Sequence, residues 1–422
     1  MSAAGALLGG AVASHRPDRL APLMVKSALA RIPAGVWTLG VVSMLMDVSS
    51  ELIHSLLPLF LVTTLGASAL TVGLIEGVAE ATALITKVFS GYLSDYFRKR
   101  KLLAVLGYGL AALSKPIFPL ASSLAWVVSA RFIDRIGKGI RGAPRDALVA
   151  DITPPELRGA AYGLRQALDT VGAVVGPLLA IGAMLWFADN FRSVFWLAVI
   201  PAFAAVLLLV VGVHEPKPAS AAKAGDGARL TFADVGRLPS RYWWIVAIGA
   251  VMALARFSEA FLVLRAQSLG MALAWVPLVM ALMSLVYAIV SYPAGVAADK
   301  KQQGMLLSVG FFALIVADLI LANASSIGGV FAGTAMWGVH MGLTQGVLAA
   351  LVAETAPADL RGTAFGLFNL VSGIALLFAS ALAGWLWDVF GPPQTFYASA
   401  GFAALAWISM IARRAGRRSV AT

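Results

Sequence analysis

Residues 147–164 read Ala147-Leu148-Val149-Ala150-Asp151-Ile152-Thr153-Pro154-Pro155-Glu156-Leu157-Arg158-Gly159-Ala160-Ala161-Tyr162-Gly163-Leu164. The pattern returns as Ala350-Leu351-Val352-Ala353-Glu354, then Pro357, Leu360-Arg361-Gly362, Ala364 and Gly366-Leu367, a shift of 203 residues (350 − 147). A second pair, Gly91-Tyr-Leu-Ser-Asp95 and Gly295-Val-Ala-Ala-Asp299, lies at a shift of 204 (295 − 91). A near-constant shift held across several loops marks a duplicated unit.

Between these landmarks the chain is apolar. Segments long enough to span a bilayer core of about 30 Å at about 1.5 Å per residue fall at 36–63, 70–94, 101–121, 124–146, 158–187 and 192–213. A second six fall at 242–266, 272–297, 304–323, 327–354, 361–388 and 393–412. Six crossings return the chain to the side it left, so the two copies run parallel. The expected fold is an all-α membrane protein: twelve transmembrane helices in two pseudo-symmetric six-helix bundles. Residues 1–35 form a tail, 36–213 the first bundle, 214–241 a linker rich in Ala, Gly and Pro, 242–412 the second bundle, and 413–422 a basic tail.

Composition agrees. Sixty per cent of the 422 residues are hydrophobic and 13% are charged, where soluble domains carry about 25% charged residues. The absence of cysteine removes disulfides, thiol catalysis and Cys-ligated metal centres. The net charge of +11 does not indicate nucleic acid, because the basic residues concentrate in alternate loops. Arg98 to Lys101, Lys217, Lys223, Arg229, Arg237, Arg241, Lys300-Lys301 and Arg413 to Arg418 share one side, while Thr63 to Ala69 and Ala322 to Ile327 contain no Lys or Arg. The positive-inside rule makes that side, and both termini, cytoplasmic; the expected location is a bacterial inner membrane. Ala3 to Ala13 is short and follows no basic region, so it does not read as a signal peptide.

The landmarks resemble the major facilitator superfamily along essentially the whole chain beyond residue 35. Gly91-Tyr-Leu-Ser-Asp95-Tyr-Phe-Arg98-Lys99-Arg100-Lys101 is similar to that family's loop 2–3 signature, departing at Tyr96 and Arg98. Arg135 to Gly139 resembles its fourth-helix pattern, with Lys138 where Gln is common. Gly172-Ala-Val-Val-Gly176-Pro177 resembles the fifth-helix G-x-x-x-G-P motif associated with antiporters, although Gly-xxx-Gly also serves plain helix packing. The resemblance implies two bundles flanking a midplane cavity and rocking between inward and outward states. It also implies that Asp95 docks near the start of the eleventh helix at Arg361. Arg98 or Lys99 would then bridge Asp95 to Asp151, with Asp299, Arg158, Lys300 or Lys301 and Glu354 as the mirror set. Ordinary positive-inside loop charge is the competing reading.

Chemistry-bearing residues crowd the first half. On the fourth segment Arg131, Asp134, Arg135, Lys138, Arg141 and Arg145 fall within about a third of the helix circumference. Such a stripe is too costly against lipid and must face the interior, Arg131 and Arg135 above all. Asp47, Glu51 and His54 share one face of the first helix; Glu76, Glu80 and Lys87 recur on the second. Lys115 precedes Pro116, and Arg165 and Asp169 lie on the side of Gly172 and Gly176. The deep acids Asp47, Glu51, Glu76, Glu80, Asp134 and Asp169 balance Lys87, Lys115, Arg131, Arg135, Lys138 and Arg165, so the stripe alone does not specify an anionic substrate. Carboxyls in this setting are proton-site candidates, Asp47 and Glu51 first and Asp169 next; permanent interhelical salt bridges are the alternative. Asp47, Glu51 and His54 offer metal-ligand types, but one helix face is a poor cage, and neither metal nor cofactor is expected. Arg256, Glu259 and Arg265, with Trp337 and His340, are the second half's cavity candidates. The expected function is proton-coupled export of a small molecule by a monomer, not an enzyme. Proton symport of a small organic anion and a non-transporting receptor or scaffold are the alternatives.

Overall fold

The computed structural model describes residues 31–97, 99–215, 235–298, 302–357 and 360–419. They form twelve helical segments: α1 Ala34–Thr64, α2 Ala69–Phe97, α3 Arg100–Leu120, α4 Leu124–Ile152, α5 Arg158–Trp186, α6 Phe191–Gly212, α7 Ser240–Ser268, α8 Leu273–Ala297, α9 Gln303–Asn323, α10 Ile327–Thr355, α11 Arg361–Phe390 and α12 Pro392–Ser419. Among the described residues, ten are long and apolar enough to cross a membrane; α4 and α12 fall outside that set. The fourth fails by sequence, since Arg131, Asp134, Arg135, Lys138, Arg141, Arg145, Asp146 and Asp151 all lie within it. It also runs past the expected end at 146, to Ile152.

The duplication is visible in the packing. In the first half α1 packs on α5 and α6, α2 on α4, and α3 on α4 and α6; in the second, α7 packs on α11 and α12, α8 on α10, and α9 on α10 and α12. Close approaches recur at the repeat spacing. A Cβ on Gly139 would meet Thr86 Cβ at 2.5 Å, and one on Gly342 would meet Val290 Cβ at 2.8 Å. Gly139 and Gly342 are 203 residues apart (342 − 139), and Thr86 and Val290 are 204 apart (290 − 86). Small residues let helix backbones approach where lipid supplies no hydrophobic drive between helices.

Two helices are interrupted at matching places. The first stretch of α1 ends at His54 before a short helix at Leu57–Leu59 and a π-turn at Phe60–Thr64. The first stretch of α7 ends at Ala255, and helix resumes at Ala260. Ser55 and Ser258 lie at these breaks, again 203 apart (258 − 55).

The halves join unevenly. α2 lies along α11 and α5 along α8. At the end remote from the basic loops, one apolar core takes residues from both halves, including Leu56, Phe60, Phe118 and Phe195 with Phe257, Phe261, Trp337 and Phe396. At the basic end the cores are separate. One holds Val36, Leu39, Tyr108, Leu148 and Leu209, all from the first half; the other holds Tyr242, Val246, Val352 and Ala364, all from the second. The halves therefore share a core at the far end, while towards the basic end their cores are separate and they meet along α2 and α11, where a Cβ on Gly366 would lie 2.9 Å from Val88 Cγ1.

Candidate functional site

The fourth helix is the spine of the site. Arg131, Asp134, Arg135 and Arg141 are buried, and each meets a counter-charge from another helix. Arg131 holds Glu76 of α2 with two contacts, Nε to Oε1 at 3.1 Å and Nη2 to Oε2 at 2.5 Å. The bidentate fork suits a guanidinium and no other side chain. His54 of α1 stands beside the same carboxylate, its Nε2 3.3 Å from Glu76 and its Nδ1 3.5 Å from Glu51. Asp134 accepts a hydrogen bond from Lys115 Nζ of α3 at 2.8 Å, and the same ammonium reaches Ser50 Oγ at 3.0 Å. Arg135 pairs with Glu80 at 3.0 Å.

A second cluster lies nearer the basic end. Arg141 reaches Asp47 at 3.6 Å and stacks over the Tyr108 ring at 4.8 Å. Arg145 contacts Asp146 at 3.1 Å and Asp169 at 3.7 Å. Arg165 donates to Asp169 at 2.5 Å and lies 3.5 Å from Asp146. Asp47 and Glu51 thus have different partners, Arg141 for one and His54 for the other. Lys138 is exposed.

The G-x-x-x-G-P glycines seat α5 directly on the helix that carries these acids. A Cβ on Gly172 would lie 2.6 Å from Met44 O and 3.0 Å from Asp47 Cβ. One on Gly176 would lie 2.8 Å from Glu51 Cβ and 2.9 Å from Val48 O. Pro177 lies inside α5, just after this contact.

The gate residues divide. Arg98 and Asp299, with Lys300 and Lys301, lie outside the described residues; Gly91 and Asp95 lie in the last turns of α2, their side chains outside what is described. Asp151 pairs with Arg100 rather than with Lys99, because Arg100 opens α3 while Lys99 precedes it, exposed. Glu354 accepts a hydrogen bond from Gln303 at 2.6 Å. Arg158 and Arg361, the first residues of α5 and α11, are exposed.

In the second half, Arg256 and Glu259 sit at the α7 break. Arg265 does another job: its guanidinium bonds Leu321 O, Ala322 O and Ala324 O at 3.0, 3.3 and 2.8 Å, capping the carbonyl end of α9 as a cation does well. Trp337 is fully buried against Phe257, ring centroids 5.3 Å apart. His340 is also fully buried and faces α9, its Nδ1 2.9 Å from Gly310 O. Among the described residues no group of three or more His, Cys, Asp or Glu is placed to hold a metal.

Asp146 of the second cluster escaped the sequence reading, and so did two acids outside both clusters. Asp388 of α11 accepts from Ala69 N at 3.0 Å and Leu70 N at 2.8 Å, capping the start of α2 across the bundle boundary. Asp318 of α9 is fully buried and bonded to Ser399. The repeat held a signal for it, since Asp318 lies 203 residues (318 − 115) after Lys115.

Comparison with known proteins agrees with this architecture. The profile of the Major Facilitator Superfamily matches residues 39–380. A Methanocaldococcus jannaschii protein described as an uncharacterized MFS-type transporter is 33% identical over 368 residues, 86% of this chain and 90% of its own. A Mycobacterium tuberculosis protein is 30% identical over 362 residues, 84% of this chain and 87% of its own. Among solved structures, the nucleoside transporter NupG matches with a TM-score of 0.75 at 10% identity, over 89% of this chain and 99% of its own. A D-xylose–proton symporter matches at 0.65 and 18% identity, over 89% and 96%. At those identities the likeness is one of fold.

Proposed function

Because the chain belongs to the major facilitator superfamily and is a multi-pass membrane transporter, we propose that it exports a small solute in exchange for protons, with Asp47, Glu51 and Asp169 carrying the coupling. The observation that carries this reading is the seating of Gly172 and Gly176 against the α1 backbone at Asp47 and Glu51, which holds two membrane-depth carboxyls in fixed register with the cations of α4.

Charge counting supports a mobile proton there. The deeper cluster sets four carboxylates, Glu51, Glu76, Glu80 and Asp134, against three cations, Lys115, Arg131 and Arg135. A proton held between Glu51 and His54 closes that balance, and its departure leaves one buried negative charge without compensation. Substrate binding that draws Arg135 or Arg141 away changes the affinity for that proton, which is the thermodynamic content of coupling. In the cycle, residues 36–213 and 242–412 move as two bodies about the α2–α11 and α5–α8 contacts. Asp95, Asp151, Asp299 and Glu354 lock the basic end when it closes. In this reading that end and both termini face the cytoplasm of a bacterial inner membrane, as the positive-inside rule favours for the basic loops, and the protein acts as a monomer. The exposed Lys138 favours one second reading, proton symport of a small organic anion.

The test is transport in proteoliposomes against a metabolite and drug panel, with and without an imposed pH gradient. Asp47→Asn and Glu51→Gln should abolish gradient-driven accumulation while sparing counterflow, which needs no net proton movement. Full gradient-driven transport in both variants would move the proton site to Asp169. The gradient polarity that drives accumulation separates antiport from symport.

A further inference from the structure

Asp318 sits in the last third of α9, five residues before its end at Asn323, and its carboxyl has a partner on one oxygen only. Ser399 Oγ of α12 lies 2.5 Å from Oδ2, while Oδ1 has no hydrogen-bond partner. The residue is 0% exposed, and among the described residues it forms no ion pair. A bare carboxylate at membrane depth is costly and is normally paired.

The decisive feature is a proton count. Ser399 Oγ is in hydrogen-bond contact with two groups, Asp318 Oδ2 and the carbonyl oxygen of Ala255. A hydroxyl has one proton to give. A carbonyl oxygen and an ionised carboxylate both only accept, so one of the two contacts would lack a proton. With a proton on Asp318 the chain is complete: Asp318 donates to Ser399, and Ser399 donates to Ala255 O. Ala255 ends the first stretch of α7, immediately before the break that carries Arg256 and Glu259, so its carbonyl has no helical donor to count on.

We propose that Asp318 is a proton-binding site whose occupancy decides whether α7 is tied to α12 at its break. When the proton leaves, the Ser399 hydroxyl turns to the carboxylate, the stronger acceptor, and the Ala255 carbonyl is released. The α7 break then gains freedom to bend, in the helix that closes the far end against α1. The neighbouring titratable groups do not replace the proton. From α10, His340 turns Nδ1 to Gly310 O and Glu354 is bonded to Gln303; from α12, Tyr397 is bonded to Asn323. Tyr287 and Tyr292 of α8 and Arg256 and Glu259 of α7 make no ion pair or hydrogen bond with Asp318, and Arg265 of α7 gives its guanidinium to the carbonyls of Leu321, Ala322 and Ala324. This site lies in the bundle opposite Asp47 and Glu51, and it deepens the proton-coupled reading by adding a second proton.

Infrared spectroscopy of the purified protein, followed from acidic to alkaline pH, reads the proton directly. A carbonyl-stretch band of a buried protonated carboxyl is expected, lost in Asp318→Asn and shifted in Ser399→Ala. An unchanged band in Asp318→Asn overturns the proposal. The tie to α7 is read by labelling Ala253→Cys in this cysteine-free chain. After division by the thiolate fraction of the reporter, its rate should still depend on pH in the parent and lose that residual dependence in Asp318→Asn, whose amide mimics the protonated acid; an equal residual pH dependence in both overturns the coupling. The infrared band does not depend on transport, so loss of counterflow across the whole panel would sink the transport reading and leave this one standing.

Discussion

Arg131 and Glu76 are buried together and joined by two hydrogen bonds. Removing either partner leaves a desolvated charge, whereas removing both leaves none, and the two cases differ sharply in cost. Glu76→Leu and Arg131→Leu should each destabilise the protein by about 3–5 kcal/mol, and the double variant by clearly less than their sum. Equilibrium unfolding in detergent would measure the cycle, and simple additivity would count against a buried pair. That Arg131 and Arg135 belong inside was legible in the sequence, because a charged stripe has nowhere else to go in a bilayer. Their partners were not. Which carboxylate meets which guanidinium depends on the rotation and tilt of α2 against α4, and helical spacing carries no record of that. Asp318 was legible only through the repeat, opposite Lys115, because its partner Ser399 lies 81 residues away and no local motif joins them.

Between elements, the tight contact is α5 on α1. Gly176→Ala places a methyl carbon 2.8 Å from Glu51 Cβ and 2.9 Å from a backbone carbonyl. The helices must separate by a few tenths of an ångström, a cost of about 1–3 kcal/mol for overpacking. Gly182→Ala, also in α5 but with nothing within 4 Å of its Cβ, should instead stabilise by about 0.4–1 kcal/mol. Unfolding of the two variants side by side checks this, and equal effects would mean the motif does not set helix spacing. The repeat at 147–164 and 350–367 made the element order readable, since one shift located every equivalent turn. Pro58, just after the break in α1, was a sign of it, but the break in α7 was hidden. Arg256-Phe257-Ser258-Glu259 contains neither Gly nor Pro, and the break is held from outside, by Ser380 Oγ of α11 accepting from Ser258 N at 3.1 Å.

Over the whole molecule, the shared core and Asp388 close the far end. A carboxylate on a helix N-terminus contributes about 0.3–1 kcal/mol, so Asp388→Asn should shift the equilibrium towards opening at the far end by about two- to fivefold. Faster labelling of a Leu56→Cys reporter, whose parent side chain is 0% exposed, would register it; an unchanged rate would make Asp388 a local cap only. Asp95→Asn should push the other way, towards opening at the basic end. The fourth helix is too polar to partition into lipid by itself, yet Glu51, His54, Glu76, Glu80 and Lys115 all precede it in the chain. During synthesis they have already left the ribosome when Arg131 emerges. The first three helices therefore act as the solvent into which the fourth is born, and the order of the gene is also an order of assembly.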